Sequence, residues 1–88
     1  MFNNKSISVQ AFGLINATIE GIQPTIDVSP EKVDAIRLKI VDILGSIRET
    51  GISNKEVANT FRLEANNTSD IVLESELRSL TILIEALD

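Results

Sequence analysis

The stretch DIVLESELRSLTILIEAL, residues 70–87, decides the fold of this 88-residue chain. Apolar side chains recur in it at alternating spacings of four and three, which is the period of one continuous helical seam. The residues of this seam are Leu73, Leu77, Leu80, Ile84 and Leu87. The pattern predicts a helix over residues 69–87 that turns this seam toward a core.

The rest of the same helix is also rich in apolar and small residues. Its charged side chains occupy a limited strip at Asp70, Glu74, Arg78 and Glu85, and Glu76 stands within the apolar arc. A helix that is apolar on several sides is buried on more than one of them. We therefore expect a contact with another protein or another copy of the chain, made by Leu38 of the second helix together with Ile71, Val72, Ser75, Ser79, Ile82, Leu83 and Ala86.

Two other segments carry helix signals. Residues 29–31, Ser-Pro-Glu, combine a capping side chain, a proline suited to the first helical position and an acid at the positive end of the helix dipole. Ser53 and Glu56 have the spacing of a capping box. These signals predict a long helix near 30–49 and a short one near 53–65.

Residues 7–22 support two interpretations. As a helix, Phe12 and the isoleucines that follow it lie on one face. As two strands, residues 7–11 and 15–19 alternate between apolar and polar side chains around Gly13. The helical pattern spans more residues, and an isolated hairpin has no further strand to pair with. We therefore favour the helix.

Together these patterns predict an all-α fold. It is a small four-helix bundle-like domain over residues 7–88, with a short third helix and a flexible N-terminus at residues 1–6, and we expect it to be oligomeric. The long second and fourth helices are expected to pack antiparallel, with the short helix between them reversing the chain. The predicted core residues are Ile36, Ile40, Ile43, Ile47, Phe61, Leu77, Leu80 and Ile84.

Composition argues against several kinds of chemistry and partner. The chain has no cysteine and no histidine, so it lacks thiolate ligands, the commonest zinc ligand and the commonest general base. A net charge of −5 disfavours binding to nucleic acid or to an anionic membrane. Neither a membrane span nor a signal peptide is indicated. We expect a cytoplasmic protein of bacterial or phage type that is not an enzyme and uses no metal or cofactor.

Residues 51–58, GISNKEVA, followed by Phe61, are similar to the start of the helix-turn-helix of LuxR-type response regulators. The resemblance implies a scaffold helix here and a DNA-recognition helix next. The next helix departs from that pattern, because it carries Glu74 and Glu76 and only one base, Arg78. Recognition of DNA requires donors on that helix. The alternative interpretation is a capped helix that packs through its apolar face.

Glu76 suggests a specific electrostatic contact. A buried charge is costly unless it is paired. Arg37 and Arg48 flank the isoleucine seam of the second helix, so we expect one of them to meet Glu76, within the fold or across a subunit interface. The alternative is that Glu76 lies at a solvated edge and the arginines lay their stems over the core.

Three classes of function follow from these observations. The first is a non-catalytic protein–protein interaction module, namely a homo-oligomeric adaptor, a regulator or a small inhibitor of a larger protein, because the apolar surface exceeds what one chain covers. The second is a divergent helix-turn-helix transcriptional regulator. The third is an oligomeric small-ligand sequestering or structural protein of phage type, in which Arg37, Arg48 and Arg62 would hold an anion. We favour the first.

Overall fold

A computed structural model describes residues 8–50 and 53–87, and it describes the side chains of all of these except residues 48–50. This part of the chain forms four α-helices and no strand: α1, Val9–Gly21; α2, Pro30–Thr50; α3, Asn54–Asn67; and α4, Ile71–Glu85. The all-α prediction is confirmed, and the interpretation of residues 8–22 as strands is wrong. The predicted flexible N-terminus, residues 1–6, lies outside the described residues.

Each helix begins at a side chain that accepts backbone N–H groups, which have no partner within the helix. The capping residues are Ser8, Ser29, Ser53 and Asp70. In α3, Ser53 Oγ accepts a hydrogen bond from the Glu56 N–H at 3.3 Å, as the predicted capping box requires. In α4, Asp70 Oδ1 accepts from the Val72 and Leu73 N–H groups at 2.9 and 3.1 Å.

The third helix, predicted near 53–65, spans Asn54–Asn67 and so ends two residues later than predicted. α3 has 14 residues, one more than α1. The sequence pattern suggested an end at residue 65 because asparagines, which follow there, favour turns and caps over helix interiors. Tertiary contacts extend the helix through Asn67, since Ala65 is buried and Asn66 Oδ1 accepts a hydrogen bond from Arg78 Nη2 at 3.0 Å.

α3 and α4 form an antiparallel hairpin and have the most closely packed backbones of any helix pair. Asn66, near the end of α3, bonds Arg78 in the middle of α4. Arg62, one turn earlier in α3, forms an ion pair with Glu85 at the end of α4. Only residues 68–70 connect the two helices, as is usual for antiparallel neighbours.

α2 and α4 begin at the same end of the domain, so the prediction that they pack antiparallel is wrong. Lys32 Nζ, in the first turn of α2, lies 2.7 Å from Oδ2 of Asp70, the cap of α4. Further along α2, Lys39 Nζ lies 3.8 Å from Oε1 of Glu64 in α3. Because α3 runs back along the domain as a full helix, the chain reverses twice between α2 and α4 and regains its direction.

One cluster of buried apolar side chains joins the four helices. All eight predicted core residues are buried, and Phe61 is the largest side chain that is fully enclosed. Leu73 of the predicted seam is also buried, whereas Leu87 lies beyond the end of α4 and is 37% exposed. The core therefore takes one face of α4, not several.

Gly13 lies exposed within α1, and a Cβ added there meets no atom within 4 Å. Glycine is less favourable than alanine within a helix because it loses more backbone entropy on folding. We expect Gly13→Ala to raise the free energy of unfolding by about 0.4–1 kcal/mol in urea titrations. The matched control is Ala17→Gly at another exposed position of α1, which is expected to lower it by a similar amount. A loss of stability in Gly13→Ala would contradict the open surroundings of this residue.

The Lys32 ammonium beside Asp70 lowers the pKa of that carboxyl below its ordinary value, against an opposing effect of burial, and the backbone N–H groups of Leu73 and Val72 lower it further. A lowered folded-state pKa stabilises the fold above the ordinary carboxyl pKa, and this contribution disappears as the pH falls through the folded-state value.

Asp70→Asn keeps the helix cap and removes the charge. We expect it to lower the free energy of unfolding at neutral pH by less than about 1 kcal/mol, as for a partly exposed ion pair. The difference from the unmodified protein should vanish in strong acid. Asp42→Asn, at an exposed site on α2, is the control and should change little at either pH. Equal effects of the two substitutions would rule out a special role for Asp70.

Candidate functional site

The side of α4 that faces away from the core carries two exposed isoleucines and no charged residue. Ile71 is 80% exposed and Ile82 is 66% exposed. At about 100° per residue, the exposed residues of this side lie within an arc of about 80°, opposite the buried seam. We call this surface the outer stripe, and it consists of Ile71, Ser75, Ser79, Ile82 and Ala86. All five belong to the interface that the sequence predicted.

The outer stripe has different borders on its two sides. On the side of α3, Arg78 Nη2 lies 2.8 Å from Oε2 of Glu74, and Arg62 pairs with Glu85. On the other side lie Val72 and Leu83. Leu83 is 44% exposed, whereas Val72 is half-buried and packs against the core of its own chain. Val72, which the sequence assigned to the interface, therefore contributes part of its surface to the core of its own chain.

A cleft of about 180 Å³ between α3 and α4 adjoins the outer stripe. It is lined by Arg62, Arg78, Thr81, Ile82 and Glu85. Each guanidinium is already paired with a carboxylate and with an asparagine oxygen, and the Thr81 hydroxyl donates to the Leu77 carbonyl at 2.8 Å. Small-molecule sites usually have volumes of about 300–1,000 Å³. Size and existing ion pairs both make this cleft a poor anion site. Of the arginines expected to hold an anion, Arg62 lines the cleft, whereas Arg37 lies at the end of α1.

Arg37 closes the C-terminal end of α1. Its Nε donates to the Ile19 carbonyl at 3.0 Å and its Nη2 donates to the Ile22 carbonyl. Carbonyls at a helix end have no partner within the helix, and a cation there also complements the negative end of the dipole. Sequence spacing gave no signal for this role, because the two ends of the contact are separated by the loop between α1 and α2.

The predicted pairing of Glu76 with Arg37 is not made within this chain. Arg37 is engaged at α1, and in the described ranges Glu76 is half-buried and forms no ion pair with any cation. The side chain of Arg48 lies outside the described residues. Pairing of Glu76 across a subunit interface stays a prediction.

Leu38, the remaining residue of the predicted interface, lies on a different helix from the others. It is 68% exposed on the outer side of α2, near Val41, which is also exposed. The outer faces of α2 and α4 each turn away from the shared core. As predicted from the sequence, Leu38 is the member of this set on α2, and the other members lie on α4 or at its end.

The geometry of α3 and α4 differs from that of a helix-turn-helix. In that motif two helices cross at about 90–120°. Here the two helices lie antiparallel, since Asn66 contacts Arg78 and Arg62 contacts Glu85. The outer stripe of α4, where a recognition helix would present its side chains to DNA, contains neither lysine nor arginine.

Among residues 8–50 and 53–87, no three histidine, cysteine, aspartate or glutamate side chains are placed to hold a metal ion. No helix of the described residues is long and apolar enough to cross a membrane. Comparison of the chain with protein-family models, with curated proteins and with solved structures gave no match.

Arg37→Met removes the guanidinium and keeps an apolar stem. We expect it to lower the free energy of unfolding by about 1.5–3 kcal/mol, because two carbonyls lose hydrogen bonds from a charged donor. The test is thermal and urea unfolding of Arg37→Met beside Glu76→Gln. If Arg37 instead stabilised the fold through an ion pair with Glu76, the two substitutions would destabilise the protein to a similar extent. That result would contradict the role of Arg37 at the end of α1.

Proposed function

We propose that this chain is a non-catalytic protein–protein interaction module that self-associates, with the outer stripe of α4 as its contact surface. The observation that carries the proposal is the exposure of Ile71 and Ile82 on a helix face without a charged residue. Full burial of one such aliphatic side chain contributes about 1.5–3 kcal/mol. Association through the stripe would remove both isoleucines from water in each subunit.

The composition of the outer stripe also supports this function. The cores of protein interfaces are depleted of charged residues. Ser75, Ser79 and Ala86 are small, so a second helix is able to approach the backbone of α4 closely. The ion pairs of Arg78 with Glu74 and of Arg62 with Glu85 border the stripe, as polar residues border the apolar core of an interface.

The size of the chain favours association as well. A domain of this length buries only about 60–65% of the surface of its unfolded chain, and its stability is correspondingly small. Binding to the folded state alone raises apparent stability by mass action. An adaptor or a small inhibitor of this size would therefore gain stability from its partner. The transcriptional-regulator and ligand-sequestering alternatives have less support, because the outer stripe has no base and the arginines of the cleft are paired.

Ile82→Glu introduces a charge into the outer stripe without touching the core. We expect the unmodified protein to sediment as an oligomer and Ile82→Glu to sediment as a monomer with unchanged helix content. Leu38→Glu is the matched control, because Leu38 has nearly the same exposure, 68% against 66%, but lies on α2. It should keep the oligomer.

Two results of this experiment would contradict the proposal. One is an unmodified protein that stays monomeric at every concentration tested. The other is an oligomer that Leu38→Glu dissociates and Ile82→Glu does not, which would move the contact surface from α4 to α2. Circular dichroism of each variant verifies that a change of mass is not a loss of fold.

A further inference from the structure

We infer that the occupant of the outer stripe is the same stripe of a second copy, with the two α4 helices antiparallel and a twofold axis between residues 78 and 79. This inference rests on the proposed function and adds its geometry. In a twofold interface each contact occurs twice, because one surface patch serves both subunits. The stripe must then be complementary to itself.

The order of large and small residues along the stripe provides this complementarity. With the axis between Arg78 and Ser79, Ile71 faces Ala86 of the partner subunit and Ser75 faces Ile82 of the partner subunit. Each exposed isoleucine therefore meets a small residue, and both contacts recur by symmetry. Alternation of large and small side chains across facing positions is what allows two helices to interdigitate.

Other pairings of the same stripe fit less well. With the axis between Glu76 and Leu77, Ile71 would face the partner's Ile82. A parallel pair would place Ile71 against the partner's Ile71 and Ser75 against the partner's Ser75. The first arrangement crowds the isoleucines, and the second alternates crowded and empty positions along the interface.

Charge complementarity also favours the antiparallel direction. The last turn of α4 has no lysine or arginine to offset the negative end of its dipole. An antiparallel partner brings to this end the positive end of its own α4, where Lys32 already offsets the charge of Asp70. A parallel partner would bring ends of like sign together.

Disulfide cross-linking tests this geometry directly, because the chain has no cysteine of its own. A disulfide requires Cα atoms within about 4.4–6.8 Å. Ser79→Cys lies beside the axis, so its two copies should cross-link under mild oxidation. Two copies of Ser75→Cys are separated by about 10 Å along the helices, at about 1.5 Å per residue, and should cross-link about tenfold more slowly or not at all.

A mixture of two cysteine variants tests the contact that is predicted between Ser75 and Ile82 of the partner subunit. Ser75→Cys combined with Ile82→Cys should give the mixed disulfide as the main product, because these two positions face each other across the interface. Leu38→Cys, exposed on α2, is the control and should remain uncross-linked. Sedimentation of the reduced proteins establishes in each case whether the oligomer is present before oxidation.

The possible failures are distinguishable. If the reduced protein is an oligomer but Ser75→Cys cross-links as fast as Ser79→Cys, the antiparallel register is wrong and the proposed self-association stands. If the reduced protein is a monomer and no variant cross-links, both the register and the proposed function fall. Rapid cross-linking of Leu38→Cys in place of Ser79→Cys would overturn the choice of α4 as the interface.

Discussion

Burial of a single face of α4 is the interaction on which the rest of this structure depends. α4 packs closely against both α3 and α1, and Leu77, Leu80 and Ile84 are enclosed completely. Isolated helices of this length are marginal in water, so tertiary packing supplies most of their stability. Because the core holds α4 by this one face, the opposite face with Ile71 and Ile82 is turned to solvent. The same packing thus creates both the core and the candidate contact surface.

Polar contacts at the helix ends complete the arrangement that the core begins. Lys32 at Asp70 joins the starts of α2 and α4, and Arg37 joins α2 to the end of α1. Apolar packing has little directional preference, whereas a charged side chain at a cap or at orphan carbonyls contacts specific atoms. These contacts therefore tie particular ends of the helices together, which the apolar faces alone do not do.

The candidate site is largely a consequence of periodicity. Because a helix repeats every 3.6 residues, fixing the buried seam of α4 also fixes which residues lie opposite it, and Ile71, Ser75 and Ile82 were assigned correctly to the outside. Periodicity fails at the flanks. Val72, which periodicity placed on the outside, is half-buried and packs against the core. The contacts of Arg37 were also missed, since no pattern within one helix reports the position of another helix's end.

The sequence by itself determined the helical class, the eight predicted core residues and the helix starts at Ser29 and Ser53, because these depend on contacts within a few residues and on the spacing of apolar side chains. Only the tertiary structure decided the common direction of α2 and α4, the contacts of Arg37 with the end of α1 and the partial burial of Val72. Those features depend on how many times the chain reverses and on which helices become neighbours. Residues distant in sequence fix both.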